Sequence, residues 1–168
     1  MSETPRFIAD VMLGRLTRWL RMLGCDVSWN SRWDDLTIAS LAAREGRWIL
    51  TRDHGLLARR TVRRGLLIES DRVEEQLRQV AEHFDLDFSA GPRFTRCTFC
   101  NLRLEPLERA AVRGRVPPYV LRRHTRFSTC RGCGRIFWKG SHAAHAAAHL
   151  AGGRPRGGGP DEEIESPP

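Results

Sequence analysis

Lysine is nearly absent from this sequence: Lys139 is the only lysine among 28 basic residues, so arginine carries almost all of the positive charge. The sequence also lacks any apolar run of the roughly 18 to 20 residues that cross a bilayer, and it begins with no apolar stretch of signal-peptide length. These absences lead us to expect a soluble, cytoplasmic protein with no membrane partner. Hydrophobic residues make up 40% of the chain, which argues against wholesale disorder and collagen-like repeats.

Cysteine is scarce as well, with five in 168 residues, which argues against a secreted disulfide scaffold. Four of the five form two Cys-x-x-Cys pairs, Cys97 with Cys100 and Cys130 with Cys133, a spacing typical of structural zinc sites. We therefore predict a four-cysteine zinc ribbon whose Zn²⁺ is structural. The alternative is a redox role, but neither pair opens a helix in a strand–helix–strand unit. Cys25 is expected to be a small buried hydrophobe.

Acidic residues are scarce in one part of the chain only. Residues 1–91 have 14 basic and 14 acidic side chains, whereas residues 92–151 have 12 basic side chains and only Glu105 and Glu108 as acids. A genome that favours arginine codons would explain the scarcity of lysine but not the missing acids. Because arginine presents a planar fork of donors to phosphate, this segment is predicted to bind nucleic acid. The arginines expected to contact phosphate are Arg122, Arg123, Arg126, Arg131 and Arg135.

Aromatic residues are interleaved with these arginines and allow two interpretations. They could stack on nucleobases, or they could form the small core of the zinc ribbon. We favour the core for most of them. The residues concerned are Phe94, Phe99, Tyr119, Phe127 and Phe137.

The chain length allows one full domain and a small appendage. Residues 6–90 are predicted to form an α/β domain, residues 91–151 the arginine-rich zinc ribbon with a C-terminal helix, and residues 152–168 a disordered tail. Within the first domain, short apolar segments at 6–10, 25–29, 48–51 and 65–69 alternate with helical stripes. This alternation favours a parallel sheet with right-handed crossovers and helices on both faces.

Four aspartates lie just past a predicted strand or, for Asp35, at the start of the next predicted helix: Asp10, Asp35, Asp53 and Asp71. In parallel α/β sheets, ligands bind beyond the carboxyl ends of the strands, so these residues are candidate site residues. Each could instead cap a helix; capping is favoured for Asp71, because Glu74 follows it as in a capping box, and Asp10 is the hardest to explain as a cap. Gathered carboxylates repel each other unless a cation neutralises them, and Mg²⁺ or Mn²⁺ suits oxygen ligands.

The segments that carry a family resemblance are Asp10 with residues 12–24, Asp35, residues 45–53, residues 68–77, the two cysteine pairs, residues 116–119 and residues 137–142. In order and spacing, they resemble the PIN-like ribonuclease superfamily. More narrowly, they are similar to the ribonuclease domain found at the C-terminus of the Mut-seven exonucleases. The resemblance spans about residues 6 to 142.

This resemblance implies a PIN-like three-layer domain with a short parallel sheet, followed by the zinc ribbon. It also implies a ribonuclease that hydrolyses RNA phosphodiester bonds, with endonucleolytic cleavage as the expected mode. By the same resemblance, Asp10, Asp35 and Asp53 would hold catalytic Mg²⁺ or Mn²⁺, with Asp71 as a weaker fourth acid.

The sequence departs from the usual pattern of PIN nucleases at one point. Such nucleases add an acid on a helix between the first and third metal-binding positions, where this chain offers only Asp26 and Asp34. Two alternatives therefore stay open. One is a catalytically silent RNA- or ribosome-binding adaptor, and the other is a protein-interaction module.

Further residues allow both functional and structural interpretations. Arg15, Arg18 and Arg21 could grip phosphates or form a solvated helix face, and Arg52 is a better phosphate candidate beside Asp53. Thr51 could orient a ligand or water, or it could be an ordinary strand residue. A helical run places three histidines on one face, for which a docking or surface helix is favoured over a metal site: His142, His145 and His149.

Overall fold

The computed structural model describes residues 4–89 and 94–139. Two compact units divide the chain: one holds Cys25–Asp87 with the residues up to Arg21, and the other holds the residues from Phe88 onward with Met22–Gly24. The predicted tail at 152–168 and the three histidines of the predicted C-terminal helix lie outside the described residues. None of the described helices is long and apolar enough to cross a membrane.

The first unit is built on a four-stranded parallel sheet. Its strands pair in the order β2-β1-β3-β4, and Ile8 of the first strand lies opposite Ile49 of the third. Branched and aromatic residues dominate these short segments, as expected for strands buried on both faces. The predicted parallel sheet is thus confirmed, although three of its strands are shorter than expected. The strands are β1 (Phe7–Ala9), β2 (Val27–Ser28), β3 (Trp48–Thr51) and β4 (Gly65–Leu67).

Helices follow each strand, as the alternating pattern predicted. The first stripe forms a short 3₁₀ helix, Val11–Leu13, which continues into the first α-helix. The second α-helix ends where the sequence indicated, at Gly46, whose φ of 65° is left-handed and suits glycine. The α-helices of this unit are α1 (Gly14–Met22), α2 (Asp35–Glu45), α3 (His54–Leu57) and α4 (Val73–Phe84).

Both faces of the sheet are covered. Ile8 and Ile49 pack in one apolar cluster with Ile38 of α2 and Leu56 of α3. Phe84 of α4 makes edge-to-face contacts with Phe7 and Trp48, with ring centroids 5.0 Å apart in each pair. Because neighbouring strand residues point to opposite faces, α4 lies on the face opposite α2 and α3.

A buried arginine joins several segments at the amino ends of the strands. Arg47 donates hydrogen bonds to Asp26 Oδ1 at 2.6 Å, to Glu45 Oε2 at 2.6 Å and to the carbonyl of Phe7 at 3.1 Å. The hydrogen bond from Arg47, followed by one from Arg44, lowers the pKa of Glu45. This network was not predicted, since Phe7 and Asp26 lie 40 and 21 positions from Arg47 along the chain.

Arg47→Met is expected to lower the free energy of unfolding by about 3 kcal/mol at neutral pH, because it removes a buried guanidinium that binds two partly buried carboxylates and the carbonyl of Phe7. The pKa of Glu45 is lower in the folded than in the unfolded protein, so its contribution exists at neutral pH and is lost as the pH falls into the acidic range. Urea unfolding at pH 7 and pH 4 should therefore show a smaller pH effect in the variant. Arg44→Met is the control, since Arg44 is 69% exposed and pairs with the same Glu45. Equal losses in both variants would contradict this role.

The second unit contains a three-stranded antiparallel sheet and two short helices. One part of its core is apolar and joins Val112, Val120, Phe127 and Ile136. A second cluster packs Phe137 against two of the paired cysteines, Cys97 and Cys130. The elements are β5 (Glu105–Leu107), α5 (Arg109–Val112), α6 (Pro118–Arg123), β6 (Phe127–Thr129) and β7 (Ile136–Trp138).

Candidate functional site

The four paired cysteines lie together in the second unit. All four Sγ atoms fall within 4.8 Å of one another, and those of Cys97 and Cys133 are 3.8 Å apart. Tetrahedral zinc with Zn–S bonds of about 2.3 Å requires sulfur atoms about 3.8 Å apart. All five cysteines of the chain are free thiols, so no disulfide competes with this arrangement. The cluster is therefore positioned to bind one metal ion, and its four sulfur donors suggest zinc.

Each cysteine pair lies on a tight turn that the sequence already indicated. The amide of Cys100 donates to Cys97 Sγ at 3.3 Å, and the amide of Gly134 donates to the carbonyl of Cys130 at 2.7 Å. The residues after the two pairs, Asn101 and Gly134, have positive φ values of 63° and 70°. Asparagine and glycine tolerate that conformation better than other residues, which explains their place in the turns.

The environment of the thiols differs from one cysteine to the next. Burial raises the pKa of Cys97 and raises the pKa of Cys100 to about 11. Burial acts in the same direction on Cys133, but hydrogen bonds from Arg135 outweigh it and lower the pKa of Cys133 to about 7. The guanidinium of Arg135 also lies 4.1 Å from the centre of the Phe99 ring. Arg135, predicted to contact phosphate, thus belongs to the surroundings of the cysteine cluster.

A second site lies at the carboxyl ends of β1 and β3. Asp10 follows β1 directly, and Thr51 at the end of β3 donates its hydroxyl to Asp10 Oδ2 at 2.7 Å. The amide of Asp53 in turn donates to the Thr51 hydroxyl at 2.9 Å. Asp10 Oδ1 accepts from the amide of Val11 at 2.6 Å. The strand order places this hydrogen-bonded group where the connections reverse direction, the usual ligand position in such sheets.

Asp10 is unusual because its carboxylate is buried without a positive partner. The residue is 5% exposed, and no arginine, lysine or histidine of the described residues forms an ion pair with it. Burying an ionised carboxylate is costly unless a charge or hydrogen bonds compensate it. Its two hydrogen bonds leave lone pairs on both oxygens, so the carboxylate can still bind a cation.

The prediction that Asp10 is a poor helix cap is wrong. Asp10 is the N-cap residue of the 3₁₀ helix, and its carboxylate accepts a hydrogen bond from the amide of Val11. This hydrogen bond uses the backbone amide of Val11, so it does not depend on the side chains of the residues that follow Asp10. Capping and cation binding use different lone pairs, so the first does not exclude the second.

The other carboxylates near this edge have local partners. Asp53 caps α3 through the amide of Gly55 at 2.7 Å, and Asp34 caps α2 through the amide of Thr37 at 2.8 Å. The Thr37 hydrogen bonds lower the pKa of Asp34. Asp35, the first residue of α2, forms an ion pair with Arg59 at 3.3 Å.

Asp71 does not cap α4, contrary to the capping box predicted with Glu74. The N-cap residue is Arg72, and Asp71 lies exposed in the preceding turn. The Ser70 hydroxyl organises this turn instead: it accepts from the amide of Arg72 at 3.1 Å and donates to the Glu75 carboxylate at 2.5 Å. Within the described ranges 4–89 and 94–139, the cysteines alone form a metal-sized group of three or more ligating side chains, and the four aspartates do not.

The arginines near the acids fall into two kinds. Arg15 and Arg52 are exposed, and Arg18 is half-buried. Arg21 was expected on the same solvated or phosphate-binding face, and this is wrong: its side chain is 3% exposed and donates to the carbonyl of Val27 at 2.9 Å. Its guanidinium is buried where it donates this hydrogen bond to the Val27 carbonyl of β2.

In the second unit, Arg122, Arg123 and Arg126 are exposed, whereas Arg131 lies 3.8 Å from Glu105. Among the interleaved aromatic residues, Phe127 and Phe137 are buried, as the core interpretation predicted. Tyr119 differs from them, with 55% of its surface exposed.

Thr51→Val is expected to lower the free energy of unfolding by about 1 to 3 kcal/mol. The change preserves shape but removes the donor to buried Asp10 and the acceptor for the Asp53 amide. Thr51→Ser is the matched control, because it keeps the hydroxyl and should lose less stability. The measurement is urea unfolding of the three proteins at pH 7. A valine variant as stable as the unsubstituted protein would show that the hydroxyl does not hold Asp10.

Together these features define a mixed α/β protein with an acidic edge on its parallel sheet and a separate four-cysteine metal cluster. The chain belongs to the Mut7-C RNAse domain family, which matches residues 5–150. The predicted resemblance to the ribonuclease domain of the Mut-seven exonucleases is thereby confirmed.

A curated relative covers part of the same chain. Over 101 residues, or 57% of the chain, the sequence is 35% identical to the "Exonuclease mut-7 homolog" of Homo sapiens. The match spans 12% of that protein, so this chain corresponds to a small part of it. No solved structure matches this chain.

Proposed function

We propose that the protein is a divalent-metal-dependent ribonuclease that hydrolyses RNA phosphodiester bonds, with internal cleavage as its main mode. The family to which the chain belongs supports ribonuclease chemistry. The observation that carries the proposal is the buried Asp10 carboxylate, which lies at the switch point of the sheet with no cationic partner among the described residues. Part of the same proposal is that the first unit is PIN-like and that the protein acts in the cytoplasm.

The oxygen donors at this edge suit a hard cation such as Mg²⁺ or Mn²⁺. Asp10 and Asp53 would hold it, since Thr51 links both residues through hydrogen bonds. Asp35 would also bind the cation, after giving up its ion pair with Arg59. Exposed Asp71 would be the weaker fourth acid. When bound, the ion supplies an activated water and offsets charge in the transition state.

The protein side chains do the remaining work in this proposal. Thr51 and the amide of Val11 fix the orientation of Asp10, so little reorganisation is needed when the substrate arrives. The exposed guanidinium of Arg52, next to Asp53, would bind a substrate phosphate, and Arg15 and Arg18 would bind phosphates further along the strand. Arginine suits this role because its fork of donors matches phosphate oxygens.

The second unit would capture RNA. Its arginines greatly outnumber its acids, and Arg122, Arg123 and Arg126 form no ion pair within the described part of the chain. Zinc at the four cysteines would be structural, because four protein ligands leave no open position for substrate.

One observation favours a second candidate, an adaptor that binds RNA, a ribosome or a protein without cleaving it. Asp35 is already neutralised by Arg59, and the aspartates do not form a metal-sized group within the described residues. An adaptor would need the basic second unit but not the acidic edge.

The test is an incubation of the protein with a pool of end-labelled single-stranded and structured RNAs, with Mn²⁺ or with no added divalent ion. Zinc content is measured in both samples, so that a loss of activity is not mistaken for a loss of the cysteine-bound metal. We expect internal cuts only with Mn²⁺. RNA that stays intact but is retained by the protein would replace the nuclease with the adaptor.

A further inference from the structure

Tyr119 is the aromatic side chain of the second unit that the core does not use. It is 55% exposed, whereas its neighbour Val120 is 1% exposed and packs with Val112, Phe127 and Ile136. No hydrogen bond or ring contact joins Tyr119 to the described residues. An exposed aromatic ring with no packing role is costly to leave in water and suits a partner with a flat apolar face.

The helix places two arginines beside this ring. Arg122 and Arg123 follow Tyr119 by three and four positions in α6, and residues at these spacings lie on the same face of a helix. Val120 and Leu121 of the same helix pack in the apolar core, whereas the tyrosine is 55% exposed. Both arginines are exposed.

The charges on this face have no ion-pair partner within residues 4–89 and 94–139. Neither Arg122 nor Arg123 forms an ion pair or hydrogen bond within the described residues, and neither does Arg126 just beyond the helix. By contrast, Arg131 has Glu105 at 3.8 Å, and Arg109 donates to the carbonyl of Leu121 at 2.6 Å. Arg122 and Arg123, unpaired among the described residues, share a helix face with an exposed aromatic ring, and this combination suits a ligand that is both anionic and aromatic.

We propose that Tyr119, Arg122 and Arg123 form a nucleotide subsite in which one unpaired RNA base stacks on the tyrosine ring and the two arginines bind the flanking phosphates. The inference rests on the proposed capture of RNA. It adds that the captured segment has unpaired bases. A base-paired strand cannot offer a free base face to the ring, whereas an unpaired one can.

The test measures the affinity of the full chain for two fluorescein-labelled probes by anisotropy. One probe is a 12-nucleotide oligouridylate, and the other is a ribose-phosphate chain of the same length without bases. The Asp10→Asn substitution is present in every protein so that the probe is not cut. Tyr119→Ala should weaken binding of the oligouridylate between about fivefold and a hundredfold. It should leave the affinity for the abasic chain and the salt dependence unchanged.

Two further variants separate stacking from charge. Tyr119→Phe should retain the preference for the base-containing probe, because the ring remains. Arg122→Gln should weaken both probes and reduce the slope of log affinity against log salt by about 0.7, the value for one phosphate contact on a single strand. Zinc content checks that each variant keeps the fold of the second unit.

The subsite would be wrong if Tyr119→Ala weakened both probes equally or neither, and the second result would favour a protein partner at this face. Failure of the proposed nuclease would look different. In that case Mn²⁺ would not induce cleavage by the unsubstituted protein, while the preference for the base-containing probe would remain.

Discussion

Cys130→Ser is expected to abolish metal binding by the second unit and to unfold it. Cys130 is fully buried within the cluster, and the apolar core beside it contains only a few side chains. Structural zinc contributes about 10 to 16 kcal/mol of binding free energy to small domains, most of which is folding free energy. Metal content should fall from one zinc per chain to near zero, and the affinity for RNA should fall with it.

The matched control for this result is Cys25→Ala. Cys25 is also buried, at 3% exposure, but it lies in the first unit outside the cluster. The Cys25→Ala variant should keep one zinc per chain, with the metal content measured by elemental mass spectrometry. A Cys130 variant that retained full zinc and an unchanged unfolding profile would show that the cluster is not a metal site.

Asp10→Asn is expected to lower the rate of RNA cleavage by at least about a hundredfold, as the loss of one preorganised electrostatic group does in other enzymes. The amide keeps the size of the side chain: its Oδ1 can still accept from the amide of Val11, and its Nδ2 can donate to the Thr51 hydroxyl in place of the bond that the carboxylate accepts. Because it removes a buried charge that has no cationic partner, the variant should be as stable as the unsubstituted protein, or more so, without added metal. Mn²⁺ should raise the melting temperature of the unsubstituted protein and not that of the variant.

Asp85→Asn provides the matched control for that experiment. Asp85 is an exposed carboxylate at the end of α4 with a φ of 51°, a conformation that asparagine also accepts. Its variant should cleave RNA at the normal rate. An Asp10 variant with undiminished metal-dependent cleavage would remove Asp10 from the proposed site.

The sequence predicted those features that depend on local pattern. The β3 strand was predicted with its observed bounds, Trp48–Thr51, because its apolar run is short and flanked by polar residues. The cysteine cluster was predicted because two short motifs define it almost completely.

Features that depend on distant partners were not predictable. Arg21 looked like a solvated residue of α1, yet it is buried because the carbonyl of Val27 needs its donor. The pairing of Asp35 with Arg59 joins residues 24 positions apart, and no local signal marks it. The Arg47 network was missed for the same reason. Asp71 is the opposite case, because a local motif predicted a helix cap that does not form. The hydroxyl of the neighbouring Ser70 accepts the amide hydrogen bond of Arg72 instead.

The proposed cation site can be observed directly by anomalous X-ray scattering from crystals soaked in Mn²⁺, with data collected at the manganese edge. We predict an anomalous peak within ligand distance of Asp10 and Asp53, at the carboxyl ends of β1 and β3. A map with no manganese peak at that edge would contradict a metal-dependent nuclease built on these aspartates. The adaptor would then be the better description of the protein.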